Sequence, residues 1–407
     1  MFSTTLAIVL ADGIGTQLHP LTAERVKPAT PFGGKYRIID FVLTNCLHSG
    51  VRRALILTQY KSHSLQKHVR DGWSIFNPEL GEYITLVPPQ MRTGEHWYAG
   101  TADAIYQNLY LLERSGAKYI MILPGDHIYR MDYAPMMAFH QQRGAELTIA
   151  CMDVRFDEAG QYGILTLDSQ HRITGYNETP QPAEAVTGSD AQTRVSMGIY
   201  IFSTERLIQV LEQDARNPDS SHDFSNDIIP HLIDRGRVYG YLFGTRSGRV
   251  TPDRYWRDVS TLDAYYQANM DLLDQVPPMN LYQHDWPIRT YAGQHPPART
   301  VPGQSGAEGI AINAIISSGA VISGASAQRS ILFNNVFVDD EALVHESILF
   351  EGVHIGKGAQ INRCIIDKNV IVPDGATIGI DGQQDRERFQ VSEGGVVVVP
   401  KDYRFDG

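Results

Sequence analysis

The stretch Thr5-Leu-Ala-Ile-Val-Leu-Ala11 is followed at once by Asp12-Gly-Ile-Gly-Thr-Gln-Leu-His-Pro-Leu-Thr22. The apolar run is typical of a buried strand, and the lack of basic residues before it does not favour a signal peptide. The glycine-rich turn that follows can present backbone N–H groups to a phosphate. Taken alone, Gly13 and Gly15 are explained equally well by an ordinary tight turn.

Beyond this stretch, β-rich runs alternate with helix-like segments over the first two thirds of the chain. The predicted strands are Leu6–Leu10, Ala54–Thr58, Tyr119–Leu123 and Leu147–Cys151, and the predicted helices are Ile38–Ser49, Thr101–Ser115 and Tyr133–Arg143. This rhythm predicts an α/β fold with a mostly parallel, Rossmann-like sheet. Because such sheets bind ligands at the carboxyl ends of their strands, the loops after Leu10 and Leu123 are the first candidate site.

The last third of the chain has a different pattern. Six prolines interrupt residues 277–302, and a six-residue period of aliphatic residues follows, as in Ile310, Ile316 and Ile322. This hexad predicts a parallel β-helix, with a Val/Ile-rich β-sandwich as the alternative. The period slips between Asn334 and Phe350, where an irregular coil or insertion is expected. The predicted units are a sheet domain at 1–276, a linker at 277–305 and a β-helix at 306–407.

Composition excludes several classes of function. The formal charge of −11 argues against a nucleic-acid partner, because such binding depends on Lys and Arg neutralising phosphates. No run reaches the roughly 18–20 apolar residues of a membrane span, so no membrane partner is expected. The three cysteines are far apart without metal-type spacing, which favours a cytoplasmic protein without a disulfide framework.

Several segments resemble the sugar-nucleotide pyrophosphorylases, and within them the bacterial type of ADP-glucose pyrophosphorylase (glucose-1-phosphate adenylyltransferase). The segments that carry this resemblance, besides the first loop with Lys27-Pro28, are Pro31-Phe-Gly-Gly-Lys-Tyr-Arg-Ile-Ile-Asp40, Gly100-Thr-Ala-Asp-Ala104, Pro124-Gly-Asp-His-Ile-Tyr129, Ser196-Met-Gly-Ile-Tyr200, Ser221-His-Asp-Phe224, Tyr255-Trp-Arg-Asp-Val259 and Trp286-Pro-Ile-Arg-Thr-Tyr291. The resemblance covers the whole chain. It implies a nucleotidyltransferase domain followed by a left-handed parallel β-helix.

The resemblance also implies a reaction of glycogen (α-glucan) synthesis, in which ATP and glucose 1-phosphate give ADP-glucose and pyrophosphate. Asp126 and Asp258 are then the Mg²⁺ ligands, and Lys27 joins them as a catalytic residue. Without the resemblance, a solvated turn residue is the better interpretation of Asp126, and a helix N-cap is the better interpretation of Asp258. The residues implied near the nucleotide or pyrophosphate are Gly100, Thr101 and Asp103. Those implied around the sugar are Glu178, Ser196, Asp223, Phe224 and Trp256, of which the two aromatic residues are also plausible core residues.

Three positions depart from the family pattern where the family handles phosphate. Asp12 stands where the family has a glycine, and like charges at about 4 Å repel by about 1–4 kcal/mol, depending on the dielectric. Gln17 replaces an arginine that grips the triphosphate, and Thr179 replaces a lysine that holds the phosphate of glucose 1-phosphate. Neither side chain carries a charge. Glu24 replaces a lysine of fructose-1,6-bisphosphate-activated relatives, so altered regulation is expected.

Three interpretations follow. The first is a catalytically impaired member that acts as a regulatory subunit of a homo- or hetero-tetramer with an active pyrophosphorylase subunit. The second is a fully active glucose-1-phosphate adenylyltransferase in which Arg92, Lys35 or Arg37 supplies the missing charge. The third is a hexapeptide-repeat acyltransferase with His345 or His354 as the acceptor base, which an acetyl-CoA binding test would settle.

Overall fold

The computed structural model of the chain describes residues 2–13, 15–90, 97–155, 159–160, 162–178, 192–233, 236–244, 249–250 and 254–405. Residues up to 273 form a sheet flanked by helices, and a β-helix begins at residue 299. Residues 274–298, all of which are described, contain no helix or strand. No helix in the described part of the chain has the length and apolar content needed to cross a bilayer.

The first body is built around one large mixed sheet. Its strands and those of two small ribbons are β1 (Thr5–Ala11), β2 (Pro31–Phe32), β3 (Tyr36–Arg37), β4 (Arg53–Thr58), β5 (Tyr83–Val87), β6 (Tyr119–Pro124), β7 (His127–Tyr129), β8 (Leu147–Arg155), β9 (Ile164–Leu167), β10 (Ile173–Asn177), β11 (Gln192–Ser203), β12 (Val238–Leu242) and β13 (Trp256–Asp258). The main path runs β10–β9–β11–β6–β1–β4–β5, with β8 beside β11 and β12 beside β8. Strands β6, β1, β4 and β5 are parallel, whereas β11 is antiparallel to β6. The continuous apolar run of β1 fits its central place, since such a strand is covered on both faces.

Helices cover both faces of this sheet. They are α1 (Ile39–Ser49), α2 (His63–Trp73), α3 (Thr101–Tyr106), α4 (Leu109–Ser115), α5 (Tyr133–Arg143), α6 (Thr204–Asp214), α7 (Ile229–Ile233) and α8 (Leu262–Met270). The four predicted strands and the helices at 38–49 and 133–143 are confirmed. The single helix predicted over 101–115 is wrong, because it breaks at Gln107 and Asn108. There the Asn108 side chain donates to Ala104 O (2.9 Å) and to the Tyr98 hydroxyl (3.0 Å), and the backbone leaves helical geometry.

The second body is the parallel β-helix predicted from the hexads. Its strands are β14 (Arg299–Val301), β15 (Ile310–Ile312), β16 (Ile315–Ile316), β17 (Val321–Ser323), β18 (Ser326–Gln328), β19 (Ile331–Leu332), β20 (Phe337–Val338), β21 (Leu343–His345), β22 (Ile348–Leu349), β23 (His354–Ile355), β24 (Gln360–Asn362), β25 (Cys364–Ile366), β26 (Ile371–Val372), β27 (Thr377–Ile378), β28 (Gln390–Val391) and β29 (Val397–Val399), with α9 (Gly382–Arg388) before β28. They form three parallel flat sides, and only β28 pairs antiparallel, with β29. This is the three-sided arrangement of a left-handed hexapeptide β-helix.

Two details of the β-helix differ from the sequence expectations. No irregular coil lies between Asn334 and Phe350. There, strands β20, β21 and β22 pair in register with β17, β18 and β19 of the preceding coil. The period slips because stacked positions are 17 residues apart, one short of three hexads. The irregular excursions lie elsewhere, at residues 302–309 and 379–396. Strand β14 also lies inside the segment assigned to the linker and pairs with β17.

The two bodies share one hydrophobic core. Phe32, Phe41 and Tyr265 from the sheet domain pack in the same cluster as Ile348 and Ile365 from the β-helix. The segment between the bodies contributes to this cluster through Trp286, which is fully buried and donates to Asn45 Oδ1 (3.3 Å). The β-helix is therefore packed onto the sheet domain over an apolar surface rather than tethered to it by a free linker.

Candidate active site

The glycine-rich loop after β1 forms one wall of the site. Gly15 has φ of +66°, and a Cβ there would lie 3.0 Å from Thr22 Cγ2 and 3.2 Å from Lys27 Cβ. Glycine is therefore required by both its backbone conformation and the close approach of residues 22–27. The Thr22 hydroxyl donates to Gly15 O (2.8 Å) and fixes the turn from below.

The loop after β6 meets this turn, as the sequence predicted. Gly125 N donates to Leu10 O (2.9 Å), which joins the ends of the two parallel strands. The short ribbon of β7 and β13 then pairs His127 with Asp258, so Asp126 and Asp258 lie side by side although 132 residues separate them. Both predicted metal carboxylates are thus at the carboxyl edge of the sheet.

A buried lysine lies beneath this carboxylate pair. Lys27 Nζ is 2.8 Å from Asp126 Oδ2, 3.1 Å from Asp258 Oδ1 and 3.1 Å from the Ser260 hydroxyl. Its side chain is 7% exposed, whereas those of Asp126 and Asp258 are 32% and 21% exposed. Burial opposes both charges, but the nearby ammonium lowers the pKa of Asp126 and the two carboxylates raise the pKa of Lys27. The cluster is a stable ion triplet whose acidic side faces solvent.

His127 belongs to this cluster, although no role was predicted for it from the sequence pattern. Its ring lies edge-on against Trp256 (5.1 Å between centroids), and Trp256 Nε1 donates to His127 Nδ1 (3.2 Å). Nε2 lies 3.7 Å from Asp126 Oδ1 and 3.9 Å from Asp258 Oδ1. The histidine has no ligand spacing in the sequence. The pairing of β7 with β13 would have placed it beside both carboxylates.

Asp12 is affected by charges on two sides of the site. Burial raises the pKa of Asp12 to about 6, with further contributions from the charges of Asp126 and Asp223. Burial and the charge of Asp12 also raise the pKa of Tyr98, two residues before the predicted nucleotide segment. Asp12, which departs from the family pattern, therefore interacts electrostatically with Asp126, Asp223 and Tyr98.

The predicted nucleotide segment 100–103 packs against residues 221–224. Thr101 Oγ1 donates to Asp223 Oδ2 (2.8 Å) and accepts from Phe224 N (3.1 Å). A Cβ on Gly100 would lie 2.3 Å from His222 O, so only glycine allows this contact. Asp103 is 8% exposed and accepts from Ala99 N and the Gln107 amide, both at 2.8 Å. The hydrogen bonds of Thr101 and Asp103 fix the position of this wall of the site.

The remaining predicted sugar residues differ in their surroundings. Phe224 is 2% exposed and stacks on Tyr200 in the core, whereas Trp256 packs between His127 and Tyr162. Burial first, and then the charge of Asp223, raises the pKa of Glu178, which accepts from the Tyr176 hydroxyl. Ser196 lies at the bulge where β11 shifts register, and its hydroxyl accepts from Gly198 N (3.2 Å).

Comparison with known proteins identifies both parts of the chain. Residues 6–275 match the nucleotidyl transferase family, and residues 296–399 match the GlmU-like C-terminal hexapeptide family. The chain is 61% identical over 400 residues to glucose-1-phosphate adenylyltransferase 2 of Vibrio vulnificus strain YJ016, covering 98% of this chain and 99% of that protein. It is 57% identical to the protein of that name in Vibrio cholerae, covering 98% of each chain. It is 45% identical to glucose-1-phosphate adenylyltransferase of Shewanella sp. strain ANA-3, covering 98% and 95%.

The chain belongs to the glucose-1-phosphate adenylyltransferase family. A substituted position and a further cation lie in or beside the glycine-rich loop. Gln17 is exposed in the short 3₁₀ turn Thr16–Leu18, and Thr179 lies outside the described residues. Lys61, which the sequence analysis did not single out, donates from Nζ to Thr22 O (3.5 Å) below the glycine turn.

The cations proposed as replacements lie elsewhere or outside the described residues. Lys35 and Arg37 line a separate cavity of about 330 Å³ between the sheet domain and the β-helix. Arg37 is also held there by Ser64, whose carbonyl and hydroxyl accept from it at 2.9 and 2.7 Å. Arg92 lies outside the described residues.

The donor set around Asp126 and Asp258 fits one kind of metal. Within the described residues there is no group of three or more His, Cys, Asp or Glu side chains arranged to hold a metal ion. Two carboxylates that already converge on one cation, with solvent-open faces, suit Mg²⁺, because Mg²⁺ combines one or two carboxylates with substrate phosphates and water.

Proposed function

We propose that this chain is a glucose-1-phosphate adenylyltransferase subunit that binds ATP and glucose 1-phosphate but turns over slowly on its own. In this proposal it assembles with an active pyrophosphorylase subunit into a tetramer and modulates that partner. The observation that carries the proposal is the charge of the site. Its glycine-rich loop contributes the acid Asp12 and the neutral Gln17, while its buried Lys27 is engaged by Asp126 and Asp258.

The reaction requires little covalent chemistry from the protein. A phosphate oxygen of glucose 1-phosphate attacks the α-phosphorus of ATP, the bond to the bridging oxygen of the β-phosphate breaks, and pyrophosphate leaves. Bound Mg²⁺ at Asp126 and Asp258 would neutralise charge on the phosphates. The protein supplies alignment and further positive charge, which is the main source of catalysis in phosphoryl transfers.

Each part of the site has a role in this scheme. The Gly15 turn lets the backbone approach the triphosphate. Lys27 holds the carboxylate pair in place beside the glycine-rich loop. The wall around Asp223 and Glu178 offers carboxylate acceptors for sugar hydroxyl groups.

The missing cations are expected to affect turnover strongly. A hydrogen bond to a charged group contributes about 1.5–3 kcal/mol, so the changes at Gln17 and Thr179 together remove about 3–6 kcal/mol. If this stabilisation acts in the transition state, the rate falls by about 10² to 10⁴. Asp12 adds repulsion toward the triphosphate to this loss.

A second candidate function is a fully active enzyme, and the retained carboxylate pair favours it. Lys27, Asp126 and Asp258 are in mutual contact, which a site without catalytic use has no need to maintain. In this alternative the lost charge is replaced by another cation, for which Lys61 is the candidate because its Nζ donates to Thr22 O (3.5 Å).

The deciding experiment is pyrophosphate release from ATP, glucose 1-phosphate and Mg²⁺, measured on the native chain and on Gln17→Arg/Thr179→Lys. Slow turnover by the native chain with a gain of at least 100-fold in the double variant supports the first proposal. Gln213→Arg adds a charge at an exposed position on α6 and serves as the control. Turnover of the native chain near the rates of its relatives, with little gain in the variant, refutes impairment and supports the second candidate.

The regulatory part is tested separately by mixing. The native chain is combined with an intact pyrophosphorylase from the same organism, and the assembly is followed by light scattering. A mixed tetramer with a changed response to effectors supports the modulatory role. Failure of the two chains to associate refutes it.

A further inference from the structure

A buried ion pair connects the β-helix to residues 22–27, which lie against the Gly15 turn and the carboxylate pair and are called the floor of the active site below. Arg25 Nη1 and Nη2 donate to the two carboxylate oxygens of Asp367, each at 2.9 Å. The side chains are 6% and 1% exposed, although the residues are 342 positions apart. Asp367 is also fixed by its own backbone, since Lys368 N donates to Oδ1 (2.7 Å) and Asp367 N donates to Val399 O (3.0 Å).

The segment that carries Arg25 contacts both catalytic features of the sheet domain. Three residues before it, the Thr22 hydroxyl fixes the Gly15 turn. Two residues after it, Lys27 holds Asp126 and Asp258, and its Cβ lies 3.2 Å from where a Cβ on Gly15 would be. Val26, between them, is buried in the core of the sheet domain. A displacement of this segment would therefore move the turn and the carboxylate pair together.

The bidentate geometry of the Arg25–Asp367 pair restricts how the two side chains can be oriented. A bidentate guanidinium–carboxylate pair fixes both distance and orientation, which a single charge contact does not. A neighbouring ion pair, between Glu24 and Lys401, joins the same segment to the same body but is exposed. An exposed pair contributes little to the position of a segment.

We propose that Arg25 and Asp367 are positioning residues through which the β-helix fixes the floor of the active site. In this arrangement the β-helix is part of the catalytic unit, and a change in its packing alters the phosphate-binding geometry without contacting substrate. The effect on nucleotide rests on the proposed function above. The effect on the segment itself does not.

The first test is amide hydrogen exchange on the full chain carrying Asp367→Asn or Arg25→Lys. The reporting amides are those of Leu18, Ala29 and Thr30, which donate to Gly15, Val26 and Lys27 carbonyls within the segment. We expect at least tenfold faster exchange at these amides, with unchanged exchange in α5. Glu24→Gln removes only the exposed Glu24–Lys401 pair and should change exchange neither at the three reporting amides nor in α5. Unaltered exchange at all three amides in both variants would overturn the proposal.

The second test measures the affinity for Mg²⁺–ATP by calorimetry and separates positioning from general stability. We expect about tenfold weaker binding in Asp367→Asn and Arg25→Lys. The double variant Arg25→Met/Asp367→Leu replaces the pair by apolar side chains, which often preserves stability. Restored thermal stability with weak binding and fast segment exchange supports positioning. Restored binding in the same variant would show a purely structural role and overturn the proposal.

The two proposals fail in distinguishable ways. If the native chain binds no nucleotide, the proposed substrate binding fails, and the amide exchange of residues 15–30 still decides the role of Arg25 and Asp367. If the native chain binds nucleotide and the variants bind it equally well, the proposed function stands and the positioning proposal fails.

Discussion

Replacing Asp12 by asparagine should stabilise the protein at neutral pH and leave its stability unchanged in acid. The substitution keeps the shape of the side chain and removes only the charge. Burial is the main reason that this carboxyl resists ionisation, and the charges of Asp126 and Asp223 add to it. One hydrogen bond from its own backbone offsets a part of the effect.

The magnitude follows from the difference between the pKa of Asp12 in the folded and unfolded chain. The pKa rises from 3.8 to about 6 on folding, and one pH unit corresponds to about 1.4 kcal/mol. Ionised Asp12 therefore costs the folded state about 3 kcal/mol. Well below pH 3.8 the group is protonated in both states and costs nothing. Between pH 4 and 6 the cost grows as the unfolded chain releases its proton first, and above pH 6 it is constant.

The assay is thermal unfolding of the native chain and Asp12→Asn between pH 4 and 8. For a domain of this size, about 2 °C per kcal/mol is expected, so the variant should melt about 6 °C higher above pH 6. The gap should close toward pH 4. Asp219→Asn, at an exposed position, is the control and should show no such gap. A gap that is absent at pH 7, or that is the same at pH 4 and pH 8, would refute the reasoning.

Three further substitutions test other parts of the molecule. Gly15→Ala should lower the free energy of unfolding by about 1–2 kcal/mol because of its positive φ, whereas Gly13→Ala, with open space around it, should be close to neutral in the same denaturation assay. Ile365→Ala, in the core shared by the two bodies, should cost about 2–5 kcal/mol, and equal losses for it and for the exposed Ile371→Ala would contradict the shared core. Lys27→Met should increase the affinity of the nucleotide-free protein for Mn²⁺ in paramagnetic resonance titrations, since it frees two carboxylates; unchanged affinity would argue against the ion triplet.

The local pattern of the sequence predicted the elements but not all of their interruptions. The apolar run of β1 and the hexads of the β-helix follow from burial on two faces and from a repeating coil, which are local properties. The break between α3 and α4 does not, because it depends on the Asn108 side chain meeting the Tyr98 hydroxyl across a turn. The 17-residue length of the coils was not predicted, because a side shortened by one residue still places aliphatic residues near hexad positions.

The candidate site was predicted as a set of residues rather than as contacts. The resemblance to a known family named Lys27, Asp126 and Asp258, but their ion triplet joins residues up to 231 positions apart. Such contacts follow from the topology, which brings β1, β6 and the β7–β13 ribbon to one edge. His127 was missed for the same reason, since only the pairing with Asp258 shows what it faces.

The question of activity depends on where the cations point, which residue identity alone does not determine. Arg37 has the right charge to replace an arginine at Gln17, yet its guanidinium is bound to Ser64 in a separate cavity. Lys61 was not among the residues predicted from the sequence. Its ammonium donates to Thr22 O, and the Thr22 hydroxyl in turn donates to Gly15 O. If the chain is a working enzyme, Lys61→Met should therefore abolish most turnover while Lys35→Met does not. Equal effects of the two substitutions would show that Lys61 is not the replacement cation.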